Sequence, residues 1–313
     1  MNVSGNVLIA APVHHVLTDW LGKNGYEYII KEDITQAEAM KIVSRVVGII
    51  TSTRLQLNRA LIDAASDLKW IGRMGSGMEI IDVEYAQSKG ITCFSSPEGN
   101  SNAVAEHAMG MLLSLTKKIT KSHNELRSGT WIRDENRGIE LENKIIGIIG
   151  FGNTGRSFAK KLTGFDMRIL AYDKYSNEEF PEYVQRCNNL DLIYEHADII
   201  SFHVPLRDDT FHYMNEDFTS KMAKPFILIN TSRGRVADTT AIWSGLQNGK
   251  ISGVCMDVFE DEPIDMMNDN LKATILKIAN LSNAVLTPHI AGYSYEAIYK
   301  MSKKIQERIV SIK

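Results

Sequence analysis

A chain of 313 residues with 44% hydrophobic and 23% charged content can bury the cores of two ordinary globular domains. A formal net charge of −3 gives no electrostatic footing for a nucleic-acid partner or an anionic membrane surface. Three scattered cysteines, Cys93, Cys187 and Cys255, offer neither metal-ligand spacing nor an even disulfide set, which fits a reducing, cytoplasmic setting.

The first apolar run, residues 7–13, is too short to span a membrane and lacks the basic flank of a secretion signal, so it reads as a strand. Strand-like runs follow at 27–30, 46–51, 68–73 and 91–96, with helical patterns at 14–23, 34–44, 57–66 and 82–89 between them. This alternation predicts a mostly parallel sheet in a domain of its own, complete by residue 100. His14 and His15 are neighbours whose side chains diverge, so no metal site is expected there. Over 102–126, Val104, Ala108, Met111, Leu112, Leu115 and Ile119 recur at helical spacing and predict one long helix. Small residues along it, among them Ala103, Ala105 and Gly110, would let a core element or a second subunit approach closely. Residues 127–140 are polar and loop-like, with Trp131 as the one large apolar anchor.

The stretch from 144 to 173 organises the rest. An isoleucine-rich strand at 145–149 runs into Gly150-Phe151-Gly152-Asn153-Thr154-Gly155, a helix follows through Leu162, and a second strand at 168–172 stops at Asp173. Strand, glycine turn, helix, strand and acid is the order of a dinucleotide-binding βαβ unit. Gly150 permits the tight turn, Gly152 lets the backbone approach a pyrophosphate, and Gly155 lets the helix pack close to the sheet. The helix start, at Asn153 and Thr154, presents free N–H groups to phosphate. Asp173 is placed to accept from an adenosine ribose, which predicts NAD over NADP, although Lys174 beside it works against that preference.

Downstream, strands are predicted at 198–204, 226–231, 251–258 and 284–287, helices at 239–248 and 293–312. In open parallel sheets the ligand lies beyond the carboxyl ends of the strands. Three polar residues follow such ends: Arg233, Glu262 and His289. Singly, each has an ordinary structural explanation; jointly they make a dehydrogenation site. Removing hydride from a carbinol carbon needs a base for the hydroxyl proton, and histidine titrates in the right range. A carboxylate on its other ring nitrogen fixes the tautomer and stabilises the imidazolium. A guanidinium offers a planar fork to a substrate carboxylate or carbonyl.

These residues, with Gly72-Arg73-Met74-Gly75-Ser76-Gly77, Pro97-Glu98-Gly99-Asn100, Val104-Ala105-Glu106-His107, His203-Val204-Pro205-Leu206, Asn230-Thr231-Ser232-Arg233-Gly234, Asp257-Val258-Phe259 and Pro288-His289-Ile290-Ala291-Gly292, carry a resemblance over essentially the whole chain. The sequence resembles the D-2-hydroxyacid dehydrogenase family, and within it the D-3-phosphoglycerate dehydrogenase branch that serves serine biosynthesis. The resemblance implies two doubly wound parallel-sheet α/β domains. A discontinuous, flavodoxin-like substrate-binding domain comprises residues 1–100 and 288–313, and a Rossmann NAD-binding domain comprises 101–287. It implies Arg233, Glu262 and His289 as the catalytic residues. Ser76 and Gly77 then hold the substrate carboxylate through backbone amides, and Asn100 and Arg233 also contact substrate. His203, Val204, Pro205 and Thr231 join the glycine loop around the dinucleotide, with Asp257 near the nicotinamide carboxamide. A homodimer through the NAD-binding domain is implied as well.

Glu79-Ile80 stands where many relatives have Asp-Asn, which loosens the substrate assignment. Arg54 lies near the phosphate-facing arginine of phosphoglycerate dehydrogenases and favours a phosphorylated substrate. The chain ends soon after the last helix, so the regulatory domain of the longer forms, and serine feedback through it, is not expected. Two other functions share this framework. One is glyoxylate/hydroxypyruvate or another 2-oxoacid reductase; the other is an NAD-sensing assembly module of corepressor type, against which the lack of long tails counts.

Overall fold

The structure, a computed structural model, describes residues 5–312 and divides into two compact units, Met1–Ala103 with Gly292–Lys313, and Val104–Ala291. No helix among the described residues is long and apolar enough to cross a membrane.

The first unit is built on a five-stranded parallel sheet of β1 (Gly5–Ala10), β2 (Tyr26–Ile30), β3 (Val46–Thr51), β4 (Trp70–Arg73) and β5 (Thr92–Ser95), in the order β2-β1-β3-β4-β5. Every residue of β3 is buried, as expected of a strand covered on both faces. The period of two in β1 sorts its side chains: Leu8 and Ala10 join one cluster, Val7 and Ile9 the other. The second cluster is completed by the helix Tyr295–Ser311, whose Ala297, Met301, Ile305 and Ile309 repeat every four residues and are buried. Ser302 Oγ accepts from His14 N at 2.9 Å, and Arg308 pairs with Glu98 Oε1 at 2.7 Å, so the chain's last helix is tied to its first hundred residues.

The second unit holds a seven-stranded parallel sheet: β6 (Ile145–Ile149), β7 (Arg168–Tyr172), β8 (Val184–Arg186), β9 (Ile199–Phe202), β10 (Phe226–Asn230), β11 (Ile251–Met256) and β12 (Ala284–Leu286). Their order, β12-β11-β10-β9-β6-β7-β8, reverses between β6 and β9, which makes the carboxyl end of β6 the switch point of a doubly wound sheet. Both faces are covered, one by a cluster including Ile146, Ile148, Phe158 and Leu162, the other by one including Ile149, Phe202, Phe226 and Leu228.

The single long helix predicted over 102–126 is two helices, Pro97–Thr116 and Ile119–Arg127. Lys118 between them is left-handed at φ 56°, and the Thr116 carbonyl accepts instead from Ile139 N at 3.0 Å. Ile119, counted as part of the apolar stripe, is therefore exposed. The first of the two helices starts earlier than its apolar pattern, at Pro97, whose missing N–H and fixed φ suit a first helical position. The strand β8 and the helices Asp191–His196 and Glu216–Lys221 are too short to show a period, and the helix Asp269–Ala279, with Ile275 and Ile278 buried, was not predicted.

Candidate active site

The carboxyl end of β6 turns at Gly150, whose φ of 90° and contact with the His203 carbonyl exclude a side chain. Gly155 abuts the Gly150 carbonyl, so the following helix packs directly on the turn. That helix, Asn153–Leu162, starts from Gly152 with no side chain capping it, and the space over Gly152 is open. An uncapped N-terminus with room above it suits a pyrophosphate. Asp173, at the end of β7, does more than wait for a ribose. Its Oδ2 accepts from Phe151 N at 2.7 Å, and its Oδ1 accepts from Tyr175 N and Ser176 N, each at 2.9 Å. The acid thus fixes the glycine turn as well as its own loop.

At the end of β9 the His203 ring is turned inward. Its Nε2 lies 2.8 Å from Ser201 Oγ, the ring packs 5.3 Å from Phe158, and Nδ1 is enclosed without a partner among the described residues. Burial pushes the imidazole down to about 3, so it is neutral. The backbone carbonyl of His203 lies against the Gly150 turn, so the residue borders the glycine loop expected to receive the dinucleotide. Val204 packs on the core and Pro205 is exposed. Thr231 Oγ1, past the end of β10, is buried and unpartnered among the described residues, an orphan that a bound ligand would satisfy. Open glycine, free helix N-terminus and orphaned hydroxyl together fit a dinucleotide.

The other strand ends assemble a proton-transfer pair. Beyond β10, Asn230 is fully buried and organises the turn: its Oδ1 accepts from Ser232 N and Oγ, and its Nδ2 donates to the Arg233 carbonyl at 3.0 Å. Arg233 follows in extended conformation, Nη1 donating to Ser232 O at 2.7 Å. Three acids in a row follow β11, and their partners tell them apart. Glu260 is held by His212 and by Thr239 N, and Asp261 pairs with Arg235. Glu262 alone meets His289: its Oε2 is 2.6 Å from His289 Nδ1 while its Oε1 accepts from Phe259 N, also at 2.6 Å. The Glu262 side chain is 28% exposed and that of His289 43%, so the pair is accessible. With Nδ1 donating to Glu262, Nε2 is the free acceptor.

His289 has a positive φ of 55°, an uncommon conformation that its surroundings must enforce. Asp257 does so. The His289 amide donates to the Asp257 carbonyl at 2.8 Å. The Asp257 carboxylate, 1% exposed, accepts from Thr287 Oγ1 at 2.5 Å, Ile290 N at 2.9 Å and Ala291 N at 2.8 Å. His107 Nε2 reaches Thr287 Oγ1 at 2.9 Å, 180 residues away in sequence. Asp257 was expected beside the nicotinamide; its observed bonds hold the loop that presents His289. His107 and Asn230 were quoted only as parts of motifs, and nothing in the sequence gave either a partner.

In the first unit, Gly75 has a φ of 132°, its amide donates to Ser96 Oγ at 3.1 Å, and Ser76 Oγ lies 3.4 Å from Asn100 Oδ1. Among the described residues the Ser76 and Gly77 amides make no backbone hydrogen bond. Arg54 is exposed and paired with Asp33.

Residues 109–291 match the family described as D-isomer specific 2-hydroxyacid dehydrogenase, NAD binding domain. The chain is 32% identical to D-3-phosphoglycerate dehydrogenase of Archaeoglobus fulgidus over 98% of its own length and 57% of that protein. It is 35% identical to hydroxypyruvate reductase of Thermotoga maritima over 90% of its own length and 89% of that protein. It therefore spans little more than half of the first relative and most of the second. A crystal structure of D-lactate dehydrogenase from Aquifex aeolicus, complexed with NAD and lactic acid, superposes with a TM-score of 0.84 at 27% identity, covering 98% of this chain and 95% of that one.

Proposed function

The chain belongs to the D-isomer specific 2-hydroxyacid dehydrogenase family, and we propose that it catalyses reversible hydride transfer between NAD and a D-2-hydroxy acid. The observation that carries this reading is the His289–Glu262 pair at 2.6 Å, with His289 Nε2 left to receive a proton.

NAD, when bound, supplies the two-electron hydride acceptor. The chain supplies the rest. Gly150, Gly152, Asn153, Thr154 and Gly155 would receive the pyrophosphate, Asp173 the adenosine ribose, and Val204 and Pro205 the adenine, with His203 and Thr231 completing the cofactor site. Arg233 binds the substrate carboxylate through its guanidinium. Neutral His289 takes the hydroxyl proton at Nε2 during oxidation, and Glu262 stabilises the imidazolium that results. In reduction, protonated His289 returns the proton. Ser76 and Gly77 are assigned substrate-carboxylate binding through their backbone amides, and Asn100, 3.4 Å from Ser76 Oγ, a substrate contact beside them.

Two substrate readings follow. Arg54 favours a phosphorylated acid, D-3-phosphoglycerate. A small 2-oxo acid such as hydroxypyruvate or glyoxylate is favoured by the ion pair in which Asp33 already claims Arg54. The test is absorbance at the nicotinamide band with NADH against phosphohydroxypyruvate, hydroxypyruvate, glyoxylate and pyruvate. Turnover of the first alone assigns the phosphoglycerate branch, turnover of the others the reductase branch, and none of any refutes the enzyme reading. Ile119, Leu126, Trp131 and Ile139 are exposed within 25 residues of one another in sequence, and we assign them to contact with a second copy of the chain, checked by sedimentation.

A further inference from the structure

Strand β7 runs out through Asp173, Lys174 and Tyr175, and the segment after β9 through Val204, Pro205, Arg207 and Asp209. One carboxylate joins the two. Asp209 Oδ2 accepts from Lys174 Nζ at 2.7 Å and from Tyr175 OH at 2.5 Å. Arg207 Cζ lies 5.0 Å from the centroid of the Tyr175 ring, and Lys174 Nζ lies 5.3 Å from it. The hydrogen bond holds the Lys174 ammonium above its ordinary pKa and the Asp209 carboxyl below its own. Asp173, next in the chain, has both oxygens on backbone amides of residues 151, 175 and 176. The loop beside the expected ribose site therefore carries two cations, and both already have partners.

Resting on the NAD reading above, we propose that Asp209 is a specificity-determining residue, holding Lys174 and Tyr175 away from a 2′-phosphate and so setting the preference for the unphosphorylated dinucleotide. A 2′-phosphate needs a nearby cation to offset its charge. Lys174 follows Asp173 directly and, by sequence, is the natural candidate. Its hydrogen bond to Asp209 satisfies it internally and leaves it unavailable to a phosphate. Asp209 acts through Lys174, so it is a positioning residue and not a cofactor contact. The selectivity lies in two loops, not in Asp173 alone.

The experiment titrates the full chain with NAD and with NADP by calorimetry, alongside KM and kcat for NADH and NADPH. In Asp209→Asn, NADP affinity should rise about tenfold while NAD affinity stays within about threefold, the scale of one charge-assisted hydrogen bond gained by a phosphate. The gain should shrink in about 0.5 M salt, because the freed lysine is exposed. Asp209→Glu should keep the wild-type preference, and Lys174→Met alone should leave it unchanged. The double variant Asp209→Asn/Lys174→Met should lose the gain. Unchanged NADP affinity in Asp209→Asn, or a gain that survives Lys174→Met, overturns the proposal while leaving NAD binding intact. Wild-type protein that binds neither dinucleotide overturns the NAD reading, and this one with it.

Discussion

Each sheet is parallel throughout, and the two differ in what stands at their strand ends. In the five-stranded sheet, β4 and β5 end in loops that bind each other: Ser96 Oγ donates to Arg73 O and accepts from Gly75 N. Those loops present main-chain amides, and the segments after β2 and β3 carry exposed charge at Asp33 and Arg54. In the seven-stranded sheet the ends of β7 and β11 carry carboxylates whose oxygens are taken by main-chain donors. Asp173 accepts three amides, Asp257 two amides and a hydroxyl, and Glu262 one amide and the His289 ring. An acid fixed by donors before substrate arrives needs no rearrangement when charge develops. On the proposed function, proton transfer belongs to the seven-stranded unit, where the acids are fixed in advance.

The strongest way to break that assignment is His289→Ala. It should cost about 10²–10⁴-fold in turnover if the ring is the general acid–base, read as kcat at saturating NADH. Turnover close to wild type would remove the centre of the comparison. Asp257→Ala tests the layer beneath. Leaving Thr287 Oγ1 and the amides of Ile290 and Ala291 without their acceptor should destabilise the unit by about 2–4 kcal/mol in urea melts. It should also lower kcat about 10–100-fold, since a small displacement of a catalytic group is expensive. A rise confined to the KM for NADH would instead return Asp257 to the nicotinamide.

Much of this could be read from the sequence, for identifiable reasons. The β6–glycine–helix–β7 unit is local, and its apolar runs, turn glycines and terminal acid lie within 30 consecutive residues. Arg233, Glu262 and His289 were found because polar residues just past buried strands have a fixed place in a parallel sheet. What escaped is non-local or weakly patterned. Helical periodicity runs unbroken through Lys118, where the left-handed backbone of that residue and the Ile139–Thr116 hydrogen bond end the helix. His107 gained its meaning from Thr287, and Arg54 lost part of its own to Asp33. The direction of the His203 ring, toward Ser201 and Phe158, is a rotamer choice no motif records.

His203 sharpens the comparison by pH. Unfolded, the ring titrates near its usual value; folded, burial pushes it down to about 3. Between those values the unfolded chain binds a proton that the native chain does not, so stability falls as pH drops below the unfolded value. From pH 6.5 to 5, above most carboxylate titrations, the loss should be about 1–2 kcal/mol, and His203→Gln should remove it. Equal slopes in urea midpoints for wild type and variant would mean that the ring is protonated or solvated in the native state.

The smallest effect belongs to the five-stranded unit, where the charge is exposed. Exposed ion pairs contribute little, so the Arg54–Asp33 pair is an equilibrium that a phosphate can enter. Asp33→Ala should release Arg54 and lower the KM for phosphohydroxypyruvate by about twofold to fivefold, while the KM for glyoxylate, which has no phosphate, stays put. If both move together, Asp33 shapes the loop and Arg54 is not a phosphate ligand. If neither moves, while phosphohydroxypyruvate is still turned over, the phosphate is received elsewhere. A selective drop would place the recognition of substrate charge at the exposed Arg54 of the five-stranded unit.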